Sequence, residues 1–113
     1  MEALKNQTLE QVSEALGIIE EARDDFSLTW EERDQLERAA VQLRNIERSI
    51  IRLKQQELVT TLTDDARALK RLTREIKDSV KKLDKLSNAL EKSTRLVELL
   101  VKGISSGLSA GLL

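Results

Sequence analysis

From Leu62 to Leu108 the chain sets Leu62, Ala66, Leu69, Thr73, Ile76, Val80, Leu83, Ser87, Leu90, Thr94, Val97, Val101, Ile104 and Leu108 at alternating steps of four and three. None of these fourteen positions is charged. Such alternation is the a/d rhythm of a helix that buries one stripe against other helices. Nothing in the composition competes with that reading. The chain has no proline and two aromatic residues, and charged residues make up 35% of it, which suits long helices rather than a β-rich globule. The expected fold class is all-α.

Two shorter patterns precede this one. Leu9, Val12, Leu16, Ile19 and Phe26 recur at three, four, three and seven, which predicts an amphipathic helix over about residues 3–24. The run Asp24-Asp25-Phe26-Ser27-Leu28 breaks it, and Thr29 with Glu32 three residues on forms a capping box. Leu36, Ala39, Leu43, Ile46, Ile50 and Leu53 then mark a second helix, predicted over 30–59. Its seam is out of phase with the third, since continuing it would put Glu57 in the core. A break near 60–63 repairs this, with Thr63 as cap and Asp64 and Asp65 in the first turn, where the helix dipole favours carboxylates. Without Gly or Pro there, a turn at 55–63 and a continuous helix with a stutter both stay open.

The third helix is predicted over 64–102. Its d positions are mostly Leu or Ile and its a positions are small or hydroxylated, while Leu72, Leu86 and Leu100 fall at g and widen the stripe. A wide stripe needs at least two neighbours. The expectation is therefore an antiparallel helical hairpin or a three-helix bundle with a long coiled-coil C-terminal helix, a single domain over 1–102 followed by a Gly/Ser/Leu-rich tail over 103–113. At 1.5 Å per residue the second helix spans about 45 Å and the third about 58 Å. The third would outrun its partners, leaving Thr94, Val97, Leu100, Val101, Ile104 and Leu108 as an uncovered interaction surface. A homo-oligomer is the natural cover, and other helical proteins are further candidates. A chain of 113 residues without cysteine or histidine has neither disulfide nor zinc to stabilise it, which points the same way.

Charge is segregated along the chain. Residues 1–37 carry eleven acids against three bases, and residues 38–113 carry nine acids against sixteen bases. The simplest consequence is that the acidic first helix lies beside the basic stretch 67–85 and neutralises part of it. Nucleic-acid binding is disfavoured, because that stretch has no aromatic for base stacking and is diluted by Glu75, Asp78 and Asp84. Gly103, Gly107 and Gly111 stand four apart near the C-terminus, but only eleven residues follow Lys102, too few to span a bilayer. Lys102-Gly103 reads as a helix end.

Chemistry has little to work with here. The absence of histidine excludes His-based triads, Glu-x-x-His di-iron sites and histidine metal ligation. Paired acids such as Glu20-Glu21 and Asp64-Asp65 are surface or capping groups, and no Gly-rich phosphate loop is present. No catalytic residue, cofactor or metal is expected. The functional expectation is a non-enzymatic coiled-coil assembly or adaptor protein that self-associates. The other class is a membrane-docking protein using 96–113 at a lipid surface. The first ten residues carry two carboxylates and no apolar run, so the expected location is cytoplasmic, membrane-peripheral under the second reading.

Overall fold

The computed structural model describes the backbone of residues 2–79 and 83–109 and the side chains of 2–78 and 83–107. Four helices follow in order: α1 Glu2–Arg23, α2 Trp30–Arg52, α3 Gln55–Ser79 and α4 Asp84–Ser109. No strand occurs among the described residues. Helix α1 packs on α2 and α4, and α3 packs on the same two, so the four close into a ring with α1 diagonal to α3. The cross-section of 20 × 18 Å is that of four helices in a square at ordinary spacings of about 8–10 Å.

Each helix follows from its apolar spacing. In α1 the fully inward residues are Thr8, Val12, Ala15 and Ile19, with Leu9 and Leu16 on the flank. Helix α2 begins as the capping box predicts. Thr29 is extended (φ −74, ψ 168), and its hydroxyl accepts from the Glu32 N–H at 3.1 Å. The seam Leu36, Ala39, Leu43, Ile46 and Ile50 is buried as read from the sequence.

The α2–α3 boundary lies earlier than expected. Helix α2 stops at Arg52, and Leu53 is extended with its N–H on Ser49 O at 2.9 Å. Gln55 opens α3 at φ 45. Residues 55–59 thus belong to α3, which brings Leu58 into the core in line with Leu62, Ala66, Leu69, Thr73 and Ile76. This placement resolves the phase conflict at Glu57. Thr63 is not a cap; its hydroxyl donates to Val59 O within the helix. Gln55 takes the left-handed turn without glycine, which is why no punctuation was visible.

The long third helix does not exist as one rod. Lys77 Nζ lies 2.9 Å from Glu91 Oε1, whereas fourteen residues of unbroken helix would separate their backbones by about 21 Å. Helix α4 instead folds back antiparallel on α3. It also lies antiparallel to α1, as the pairs Gln11–Ala89 and Glu21–Lys85 show. An a/d rhythm cannot distinguish one long helix from two facing ones, because both bury the same stripe. What differs is the cover. Leu86, Leu90, Ser93, Val97, Leu100 and Ile104 form the inward line of α4, so Leu86 and Leu100 at g are core residues, Leu72 at g is half-buried, and the a positions Ser87, Thr94 and Val101 sit beside them. The helix also continues through Gly103 to Ser109 instead of ending at Lys102.

Six ion pairs join described side chains, and all are substantially exposed, so each contributes under about 1 kcal/mol. Apolar burial holds the bundle. One polar contact between helices is less favourable. Gln42 Nε2 donates to Asp65 Oδ1 at 3.0 Å, while Asp65 Oδ2 is buried without a partner. Desolvation pushes the Asp65 pKa above its usual range, against the Gln42 bond that lowers it.

Three outcomes follow from this packing. Ile76→Asp should cost at least about 3 kcal/mol, since it buries an unpaired carboxylate in a core position that is fully enclosed, whereas Lys77→Asp should cost under about 1 kcal/mol. Equal losses of melting temperature would place the two residues on the wrong faces. Replacing Gln55 by glycine should stabilise by about 0.5–1 kcal/mol, by relieving the left-handed backbone. A rise in the urea midpoint at constant slope is the readout, and a fall would mean that position 55 is not left-handed.

Asp65→Asn should stabilise slightly at neutral pH, because the neutral amide avoids the desolvation of a charge while still accepting from Gln42. The sign follows from linkage: a carboxyl raised on folding binds more protons in the folded state, so its destabilisation is present above the folded pKa and disappears as pH falls towards 3.8. Melting curves from pH 4 to 7 should therefore converge for the two proteins at the acid end; a gain that grows on acidification would contradict this.

Candidate interaction surface

Between α1 and α2 the chain makes a turn that is firmly built. The amide N–H groups of Asp24 and Asp25 reach back to Glu21 O and Ala22 O at 3.3 and 3.1 Å. Asp25 Oδ1 accepts from the Ser27 N–H at 2.9 Å and the Ser27 hydroxyl at 2.6 Å, an Asx turn. Arg33 reaches from α2 to the end of α1, donating to Arg23 O at 3.3 Å and Asp25 O at 2.9 Å, which satisfies carbonyls that a helix terminus leaves open. Arg23 in turn forks onto Glu37 at 2.6 and 3.1 Å. That hydrogen bond holds the guanidinium further towards its charged form. Leu28, 6% exposed, plugs the end of the core.

This anchored turn displays what it could have hidden. Phe26 is 93% exposed and Trp30 is 89% exposed, and they are the chain's two aromatic residues. Burying a large apolar side chain is worth about 1.5–3 kcal/mol, a gain the fold forgoes twice at one site. Acids surround the pair: Glu20, Glu21, Asp24, Asp25, Glu31 and Asp34 lie within the same stretch. The nearby cations Arg23 and Arg33 are both engaged in the turn itself.

The sequence placed Phe26 on the core seam of α1 and gave Trp30 no role. Two signals could have corrected this. Phe26 stands seven residues past Ile19 with no apolar step between at the expected four, and it lies inside the Asp-rich run that ends the helical pattern.

The residues expected to form the interaction surface are elsewhere. Thr94, Val97, Leu100 and Ile104 are 5% exposed or less, inside the bundle, and Val101 is half-buried. Leu108 lies outside the described side chains. Their predicted exposure rested on a third helix longer than its partners, and the return of α4 removes that premise. The outward apolar residue of this part of α4 is Leu99, about half exposed. No helix among the described residues is long and apolar enough to cross a membrane.

The charge expectation is also corrected. Helix α1 is diagonal to α3, so it cannot cover the 67–77 cations; among the described residues its ion pair with the basic stretch is Glu21 Oε2 to Lys85 Nζ at 3.8 Å. Arg67, Lys70, Arg71 and Arg74 are exposed on α3 and make no ion pair among the described residues. Some of them rim a groove of ≈ 380 Å³ between α3 and α4, floored by Ala66 and Val101 and edged by Arg67, Lys70, Glu98 and Lys102. A second groove of ≈ 300 Å³ continues it past Thr73 and Thr94, with Arg74 and Arg95 and the acids Glu91 and Glu98 on its edge. Among the described residues no group of three or more carboxylates is placed to hold a metal ion.

Comparison with protein-family models, with curated proteins and with solved structures gives no match for this chain, so the reading of its surfaces rests on their own chemistry.

Proposed function

We propose that this chain is a non-enzymatic adaptor or assembly protein that works by protein–protein contact, with the α1–α2 turn as its docking element. The observation that carries this reading is the full exposure of Phe26 and Trp30 on a turn whose backbone is fixed by Arg33, Asp25 and Thr29. Aromatic side chains with few rotatable bonds, preorganised and surrounded by polar groups, are the composition of an interface hot spot. The acidic collar selects a partner with a basic rim around an apolar pocket, and it disfavours the anionic leaflets to which a membrane-docking protein would bind. A helical partner, or a further copy of the chain, suits a molecule whose described residues form four helices and short turns.

Site-specific photo-crosslinking tests this. A benzophenone amino acid in place of Phe26 should give discrete protein adducts in cells of the native host, abolished by adding Trp30→Ser. The same probe in place of exposed Asn45 should not. Adducts of equal yield at both positions, or adducts with lipid alone, would overturn the docking role.

A further inference from the structure

Two complementary surfaces stand unsatisfied on one molecule. One is the acidic tip bearing Phe26 and Trp30. The other is the α3–α4 groove, where Arg67, Lys70, Lys102 and Glu98 edge an apolar floor of Ala66 and Val101, and Arg74, Arg95 and Glu91 edge its continuation. Within a single chain they cannot meet. The tip joins the two helices α1 and α2, and the groove opens on the outer side of α3 and α4, across the bundle.

We infer that the tip of one copy docks into the α3–α4 groove of a second copy, so that the chain self-associates through unlike surfaces. This rests on the reading of the tip as a docking element and names its partner. Charge complementarity is what selects this occupant. The groove and its continuation carry Arg67, Lys70, Arg74, Arg95 and Lys102 against Glu91 and Glu98, a local basic excess that α1, diagonal to α3, does not cover, while the tip is acidic. Opposed patches of this kind steer encounter and set register between molecules. Shape agrees: the ≈ 380 Å³ groove narrows to no bulky side chain along its floor, because the facing a positions of α3 and α4 are small. An aromatic side chain entering there would lose its exposed surface, and Glu31 and Asp24 beside it would reach the arginine and lysine rim. Because tip and groove are different patches, the contact is either reciprocal in a two-fold dimer or continued along a chain of copies.

Complementation of two variants tests this with the full-length protein. Phe26→Ser with Trp30→Ser removes the tip; Arg67→Glu with Lys70→Glu reverses the groove rim. All four positions are exposed, and circular dichroism with thermal melting should show both variants folded like the parent. Solution mass is then followed by sedimentation equilibrium at low ionic strength. The parent should be larger than a monomer, and its dissociation constant should rise at least about tenfold between roughly 20 and 300 mM salt. Each variant alone should be monomeric, and an equimolar mixture of the two should regain association, since one supplies an intact tip and the other an intact groove. A monomeric parent at several hundred micromolar, or a mixture that stays monomeric, would overturn the second-copy inference. In that case crosslinks from position 26 to some other protein would still stand, and the docking role of the tip with them.

Discussion

The structure depends on α4 finding its cover inside the same chain. Its inward line, Leu86, Leu90, Ser93, Val97, Leu100 and Ile104, is nearly solvent-free. A helix carrying that much apolar surface has no stable free state in water, and burial of each large side chain contributes about 1.5–3 kcal/mol. Folding back on α3 while lying against α1 covers the line from two sides. The ring of four helices follows, because α2 is then the one element left to close the gap between α1 and α3.

Much of this was written in the spacing of residues. The all-α class, the α1 and α2 starts, the Thr29 cap and most of the buried leucines and isoleucines could be read directly, since period and capping are local physics. The two interhelix boundaries that failed were those set by tertiary contact, and α4 also runs past the end read at Lys102. Gln55 makes a left-handed turn that glycine or asparagine would have announced. Between α3 and α4 the heptad rhythm runs through without interruption, and the local clues were electrostatic: Lys77 in the last turn of one helix and Asp84 in the first turn of the next, each the charge that a helix dipole favours there. The leucines at g were the better signal, because a rod paired along one seam has no use for them.

The interaction surface was less legible than the fold, for a related reason. A hydrophobic count assigns every apolar residue to the core by default, and Phe26 fitted the arithmetic of the α1 seam. Its exposure is settled by the hydrogen bonds that turn the chain before it, from Asp25 and Arg33. The residues expected at the surface, from Thr94 to Ile104, failed in the opposite direction: their exposure was inferred from helix lengths, so one error in connectivity moved Thr94, Val97, Leu100 and Ile104 to the core and left Val101 half-buried. The charge segregation was visible from the start, and its meaning changed with topology. Beside α3, helix α1 would have neutralised it; diagonal to α3, it leaves an acidic tip and, on α3, an uncovered row of cations at Arg67, Lys70, Arg71 and Arg74.

The most direct measurement of this account is the distance between nitroxides on Arg67→Cys and Lys102→Cys, in a chain that has no other cysteine. Both positions edge the same groove, so electron paramagnetic resonance on protein diluted with unlabelled chain should show strong dipolar broadening, from labels within about 20 Å on adjacent antiparallel helices. A separation near 50 Å, the reach of thirty-five residues in one unbroken helix, would contradict the fold-back on which the core, the tip and the groove all depend.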